Sequence, residues 1–142
     1  VRYIVYARPR GLDSWGSGAY DAPRGSRRHK GIDYEAPSGA QCLPCTPGKV
    51  TKLGYPYADD LTYRYVEVTD REGFRCRYFY VASGLHLGQE VTIHTPLGII
   101  QDITRRYEGI TNHVHFEVIA PDGNWVDPEE YYSGVANFDG VD

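Results

Sequence analysis

No run in this 142-residue chain approaches the roughly 20 consecutive apolar residues needed to cross a bilayer, and no positively charged, then apolar, secretory pattern opens it. Membrane insertion is not expected. An excess of positive charge is also missing: 15 Lys and Arg against 19 Asp and Glu leave a formal charge of −4 and a pI near 5.7. A general nucleic-acid binder needs a basic surface to neutralise phosphates, so nucleic acid is excluded as a partner. The pairs Arg27-Arg28 and Arg105-Arg106 do not overturn this, the second reading as solvated. Cysteine is scarce. Cys42, Cys45 and Cys76 are an odd number, and one Cys-x-x-Cys with a single distant companion falls short of the four ligands of a structural zinc site. Buried thiols or one local disulfide are expected. The start at Val1 fits loss of a leader or pro-segment as well as loss of an initiator methionine, and leaves the compartment open.

What is present points to strands. Thirteen tyrosines, sixteen glycines, nine prolines and short Val/Ile/Thr runs between turn residues predict an all-β chain, mainly antiparallel sheet, forming one domain over residues 1–142. Residues 1–24 read as a lead-in segment and 133–142 as a tail. The run Tyr63 to Thr69 alternates, turns at Asp70 to Gly73, and returns through Phe74 to Val81 as the second strand of a hairpin. An aromatic, acidic loop over 54–61 suits the rim of a groove, and 101–112 reads as a polar loop. Tyr55, Tyr57, Trp15 and Tyr107 either line that groove or cover the core. Asp127 is a good helix N-cap with Pro128 behind it, so one short C-terminal helix is expected.

Two short motifs carry chemistry. In the strand-like run Asn112 to Val118, His113 and His115 stand two apart and project to one face. Upstream, His29-Lys30-Gly31-Ile32-Asp33 places an imidazole and a carboxylate either side of a turn glycine. Each alone reads as solvated surface residues. Together, His29, Asp33 and His115 supply two imidazole nitrogens and a carboxylate oxygen, the three-ligand set of a catalytic zinc site with one position left for water. Such a site suits amide hydrolysis, with His113 placed to hold or deprotonate the water. His86 and His94, beside the turn at Gly88, read as surface histidines.

These residues, in this order, resemble the LytM/lysostaphin-type zinc metallopeptidases, peptidase family M23. His29 to Asp33 is similar to the family's HxGxD segment, and Gly39 with Gly48-Lys49-Val50 follows as in the family. Gly88-Gln89-Glu90-Val91 through Leu97-Gly98 is similar to GQxVxxGxxIG, with His94 in place of the middle glycine. His113 to Val118, Asp122-Gly123 and Val126 to Tyr131 match the closing HxHFEV, DGxxVDPxxY. The likeness runs over about residues 25–132. It implies a β core forming a groove, Zn2+ on its floor held by His29, Asp33 and His115, and a peptidoglycan peptide as substrate.

One departure stands out. The family carries a further catalytic histidine in a YxHL strand, and the matching segment here, Tyr78-Phe79-Tyr80-Val81, has Tyr80 at that position. A phenol donates a hydrogen bond to an oxyanion but is a poor base at neutral pH. Tyr80 is thus expected as an electrophilic partner, with His113 as the base. A tyrosine there also resembles the leukocyte-derived chemotaxin branch, in which the fold serves binding. Two readings therefore remain open. One is an extracytoplasmic zinc endopeptidase cutting peptidoglycan, secreted or virion-associated within an assembly such as a phage tail. The other is a catalytically inactive, zinc-containing M23-fold binding or structural protein.

Overall fold

The computed structural model describes residues 2–3, 10–11, 15–20, 23–24, 27–28 and 30–131. His29, Tyr132 and the tail over 133–142 lie outside the described residues. Thirteen strands are described: β1 (Arg2–Tyr3), β2 (Pro23–Arg24), β3 (Arg27–Arg28), β4 (Ile32–Glu35), β5 (Gln41–Cys42), β6 (Gly48–Gly54), β7 (Tyr65–Thr69), β8 (Arg75–Phe79), β9 (Val81–Ala82), β10 (Glu90–Val91), β11 (Gly98–Ile100), β12 (His113–Ile119) and β13 (Trp125–Val126). The larger sheet runs β10-β6-β7-β8-β12-β13 and is antiparallel throughout, with β4 also paired to β12. A smaller sheet runs β1-β5-β11-β9, where β1 pairs parallel to β5. Helix begins at Pro128, and the Asp127 carboxylate accepts from the Glu129 N–H as its N-cap (3.0 Å).

Strand β12 organises the larger sheet because its two faces differ completely. Val114, Phe116 and Val118 point inward and are fully buried, meeting Tyr78 of β8, Ile32 of β4 and Val66 and Val68 of β7. The Tyr78 and Phe116 rings lie 4.9 Å apart. Cys42, Val81, Leu97 and Ile100 close the same core from the side of the smaller sheet. All three cysteines are buried free thiols, so of the two expectations the thiols hold, and burial pushes the Cys42 and Cys76 pKa values up. The alternate residues His113, His115 and Glu117 face the other way. They share that face with Asp33, directly opposite His115, and with Arg77, opposite Glu117.

Two details differ from the sequence reading. The expected strand Phe74 to Val81 breaks at Tyr80, which has φ +71°, the positive-φ residue other than glycine among those described. There the chain leaves the larger sheet as β8 and enters the smaller as β9, with the Tyr80 and Val81 N–H groups both donating to the Arg64 carbonyl. The stretch 101–112 is not merely polar: it holds a 3-10 turn over Ile103–Arg105 whose Ile103 is fully buried beside Tyr63 and Tyr80. Asn112 buckles that loop shut. Its amide donates to the carbonyls of Ala36 and Gln101 (2.8 and 3.1 Å), and its side-chain oxygen accepts from the Ile103 N–H (2.8 Å).

Gly31 sets how closely β4 approaches β12. A Cβ there would stand 2.2 Å from the Phe116 carbonyl oxygen and 3.0 Å from the His115 ring, both parts of the site's own strand. Gly31→Ala is therefore expected to cost about 1–3 kcal/mol by urea unfolding, as overpacking does. Gly84→Ala, where nothing lies within 4 Å, is the control and should leave stability within about 0.5 kcal/mol.

Candidate metal centre

Asp33 and His115 are cross-strand partners on β4 and β12, which brings their side chains together. His115 Nδ1 lies 2.9 Å from Asp33 Oδ1, and His115 Nε2 lies 2.8 Å from Glu117 Oε1. Burial opposes a charge on this ring, but the hydrogen bonds to Asp33 and Glu117 outweigh it and raise the His115 pKa to about 9. With a carboxylate oxygen against each ring nitrogen, both nitrogens carry protons near neutral pH, one donated to each carboxylate.

Each acidic partner is braced in turn. Arg10 Nε and Nη2 both donate to Asp33 Oδ2 (3.1 and 3.0 Å), which turns the other oxygen, Oδ1, toward His115. Arg10 is itself buried, and its Nη1 donates to the Gly16 carbonyl (2.8 Å). Behind Glu117, Arg77 Nη1 stands 3.7 Å from Oε2, while its Nε donates to Glu67 Oε2 (2.7 Å). Glu67 also accepts from the Thr51 hydroxyl (2.8 Å). Arg10, Glu117, Arg77 and Glu67 were not singled out by sequence spacing. A signal for Glu117 existed, since it continues the two-residue step from His113 through His115 along one strand face.

His113 is 3 % exposed, and its Nδ1 is 2.7 Å from the Thr111 carbonyl oxygen. A carbonyl only accepts, so Nδ1 carries the proton and Nε2 keeps its lone pair, 3.6 Å from Asp33 Oδ2. Burial lowers the His113 pKa against the opposing pull of Asp33, which leaves the ring neutral and able to accept a proton near pH 7. The Tyr80 ring stands edge-on to His113, centroids 5.4 Å apart. Burial raises the Tyr80 pKa, so its phenol stays protonated. All four side chains line one cavity of about 420 Å³, walled by Trp15, Tyr57, Phe79 and Tyr107. His86 and His94 are exposed and away from it. Tyr55, half exposed, does not line it, and Arg106 is not a solvated partner of Arg105: its guanidinium lies 3.7 Å from the Tyr57 ring centroid.

Among the described residues, no three His, Cys, Asp or Glu side chains converge on one point. Asp33 and His115 form a two-ligand edge, and His29 lies outside the described residues. The donor set nevertheless fits a cation. The Asp33–His115 hydrogen-bonding proton already sits between a carboxylate oxygen and an imidazole nitrogen. With Nε2–H donated to Glu117, deprotonation at Nδ1 leaves the lone pair facing Asp33, the carboxylate–histidine arrangement that orients a metal ligand.

A β groove with a histidine–carboxylate floor defines the class of fold. The chain belongs to peptidase family M23, whose model matches residues 27–128. Among curated relatives, the leukocyte cell-derived chemotaxin-2 of Mus musculus is 29% identical over 108 residues, covering 76% of this chain and 71% of its own. Among solved structures, the catalytic domain of the prophage-encoded M23 protein EnpA from Enterococcus faecalis superposes with TM-score 0.62 at 21% identity, over 81% of this chain and 88% of that one. A zinc containing peptidase from Vibrio cholerae gives TM-score 0.59 at 21% identity, over 84% of this chain and 39% of that one. These two structures establish the shared fold.

Zinc binding provides a direct check on the bracing of His115. Glu117→Ala is expected to weaken zinc affinity about 10- to 100-fold in competition with a chromophoric chelator, the usual cost of losing an outer partner of a ligating histidine. Glu117→Gln, which still accepts from Nε2–H, should lose less. Equal affinities in all three proteins would remove Glu117 from the site.

Proposed function

We propose that this chain is a zinc-dependent endopeptidase that hydrolyses peptide bonds of bacterial peptidoglycan. The observation that carries the reading is the pairing, in one cavity, of an Asp33–His115 edge with a neutral His113 whose Nε2 faces it. Asp33 and His115, with His29, are the residues that would hold the metal. When bound, zinc supplies Lewis-acid polarisation of the scissile carbonyl and makes a water acidic enough to attack near neutral pH.

The rest is done by side chains. His113 Nε2 takes the proton of the attacking water, its ring kept in the required tautomer by the bond to the Thr111 carbonyl, and then passes it to the departing amine. The protonated Tyr80 phenol donates to the carbonyl oxygen as negative charge builds there. Glu117 and Arg10 keep His115 and Asp33 from turning. The phenol cannot replace a second imidazole as a base, so proton transfer rests on His113 alone.

Within this reading the protein works outside the cytoplasm, secreted or carried on a virion within an assembly such as a phage tail. Among the described residues no helix is long and apolar enough to cross a membrane. A second reading, a zinc-containing M23-fold protein that binds without cutting, is favoured by Tyr80 and by the likeness to chemotaxin-2.

Cleavage separates the two. Zinc-loaded protein incubated with purified peptidoglycan is expected to release new amines, and His113→Ala to slow that release by about 10²- to 10⁴-fold, the contribution of a general base. Identical behaviour of the two proteins would leave the binding reading in place.

A further inference from the structure

Tyr57, Tyr80 and Tyr107 all line the cavity, and their hydroxyls form a chain headed by an arginine. Arg106 Nε donates to the Tyr107 hydroxyl oxygen (3.4 Å), the Tyr107 hydroxyl donates to that of Tyr57 (3.0 Å), and the Tyr57 and Tyr80 hydroxyls are 3.0 Å apart. Arg106 is held in place by Asp59 at 3.4 Å and by the face of the Tyr57 ring. Tyr80 has little freedom: its ring is stacked on Tyr57 at 15°, meets Tyr63 edge-on, and hangs from a left-handed backbone position.

The direction of this chain follows from its head. A guanidinium only donates, so it directs the Tyr107 proton away from itself and toward Tyr57. With an acceptor position on Tyr57 filled, the favoured place for the Tyr57 proton is the Tyr80 oxygen. Tyr80 then has its own single proton left to give, and the cavity over His113 and Asp33 is what its ring borders. We propose that Tyr107 and Tyr57 are positioning residues that make the Tyr80 hydroxyl a donor into the cavity, toward an oxygen acceptor such as the carbonyl of a peptide as it becomes an oxyanion. For the identity of that acceptor the inference rests on the peptidase reading; for the direction of the chain it does not.

Without the Tyr107 hydroxyl, the Tyr57–Tyr80 bond runs in either direction, and Tyr80 can spend its proton on Tyr57. The consequence is unusual for a packing role. In zinc-loaded protein acting on peptidoglycan, Tyr80→Phe is expected to lower kcat about 100-fold, as loss of one oxyanion donor does. Tyr107→Phe should lower kcat about three- to tenfold with KM unchanged, the worth of one net hydrogen bond. Adding Tyr57→Phe to Tyr107→Phe removes the competing acceptor and should restore part of that loss. If the two losses simply add, Tyr57 and Tyr107 are wall residues and the proposal is overturned.

Proton NMR of the zinc-loaded protein reads the direction without turnover. The Tyr80 hydroxyl proton should show nuclear Overhauser contact with the His113 ring in the parent protein, moving toward the Tyr57 ring in Tyr107→Phe. No contact with the His113 ring in the parent protein, or the same intensities in Tyr107→Phe, overturns the relay whatever the activity. Contact with His113, in a protein that releases no amines from peptidoglycan, upholds the relay and sinks the peptidase reading alone.

Discussion

A carboxylate and an imidazole facing each other across one pair of antiparallel strands hold the site to the fold. Asp33 and His115 are in register on β4 and β12, so the distance between them is set by backbone hydrogen bonds rather than by flexible side chains. Those strands are held in turn by what lies on their other face, where Ile32, Tyr34, Val114 and Phe116 are buried together. Packing on one side of the sheet thus sets the geometry on the other. The backbone of Asp33 is secured at its outer edge as well, its N–H donating to the Gly18 carbonyl and its carbonyl accepting from the Arg10 N–H. The same short segment therefore fixes both the main chain and the carboxylate of one residue.

Strand alternation would not by itself build this cavity. Phe79 and Tyr80 are consecutive, and a regular strand would send them to opposite faces, yet both line it. The left-handed backbone at Tyr80 breaks the alternation at the point where the chain changes sheets, at a cost of about 1–2 kcal/mol for a residue with a Cβ. The surrounding structure holds it there: the Tyr80 N–H donates to Arg64, its carbonyl accepts from Gln101, and Ile103 packs beneath its ring. Backbone strain at a residue facing a candidate site is where strain tends to be kept.

How much of this was legible from the chain depended on the range of the physics involved. Periodicity of two placed His113 and His115 on one face, and turn residues placed the Asp70 to Gly73 hairpin and the Asp127 helix cap, because both are local properties. The break at Tyr80 was not legible, since Phe74 to Val81 is β-prone throughout and only the change of sheets demands the kink. The burial of Ile103 was hidden within a loop of mostly polar residues, because Tyr63 and Tyr80, which pack with it, come from distant parts of the chain. Arg10 and Arg106 were hidden for a related reason: their partners Asp33 and Tyr57 are 23 and 49 positions away, and nothing in local spacing links them.

The charges on the floor lead to a final constraint. Asp33, Glu117 and Glu67 are buried carboxylates, and the guanidiniums of Arg10 and Arg77 lie among them. Carboxylates at such positions are tolerated only when paired, and each of these three has a guanidinium or an imidazole beside it. On His115 the hydrogen bonds to Asp33 and Glu117 hold the proton against the cost of burial. Arg77 is shared between Glu67 and Glu117, and Arg10 bonds Asp33 Oδ2, so Asp33 Oδ1 and Glu117 Oε1 are the oxygens turned to His115. A cation held between Asp33 and His115 would stand where that proton stands, so the carboxylates turned to His115 favour positive charge at this edge of the groove.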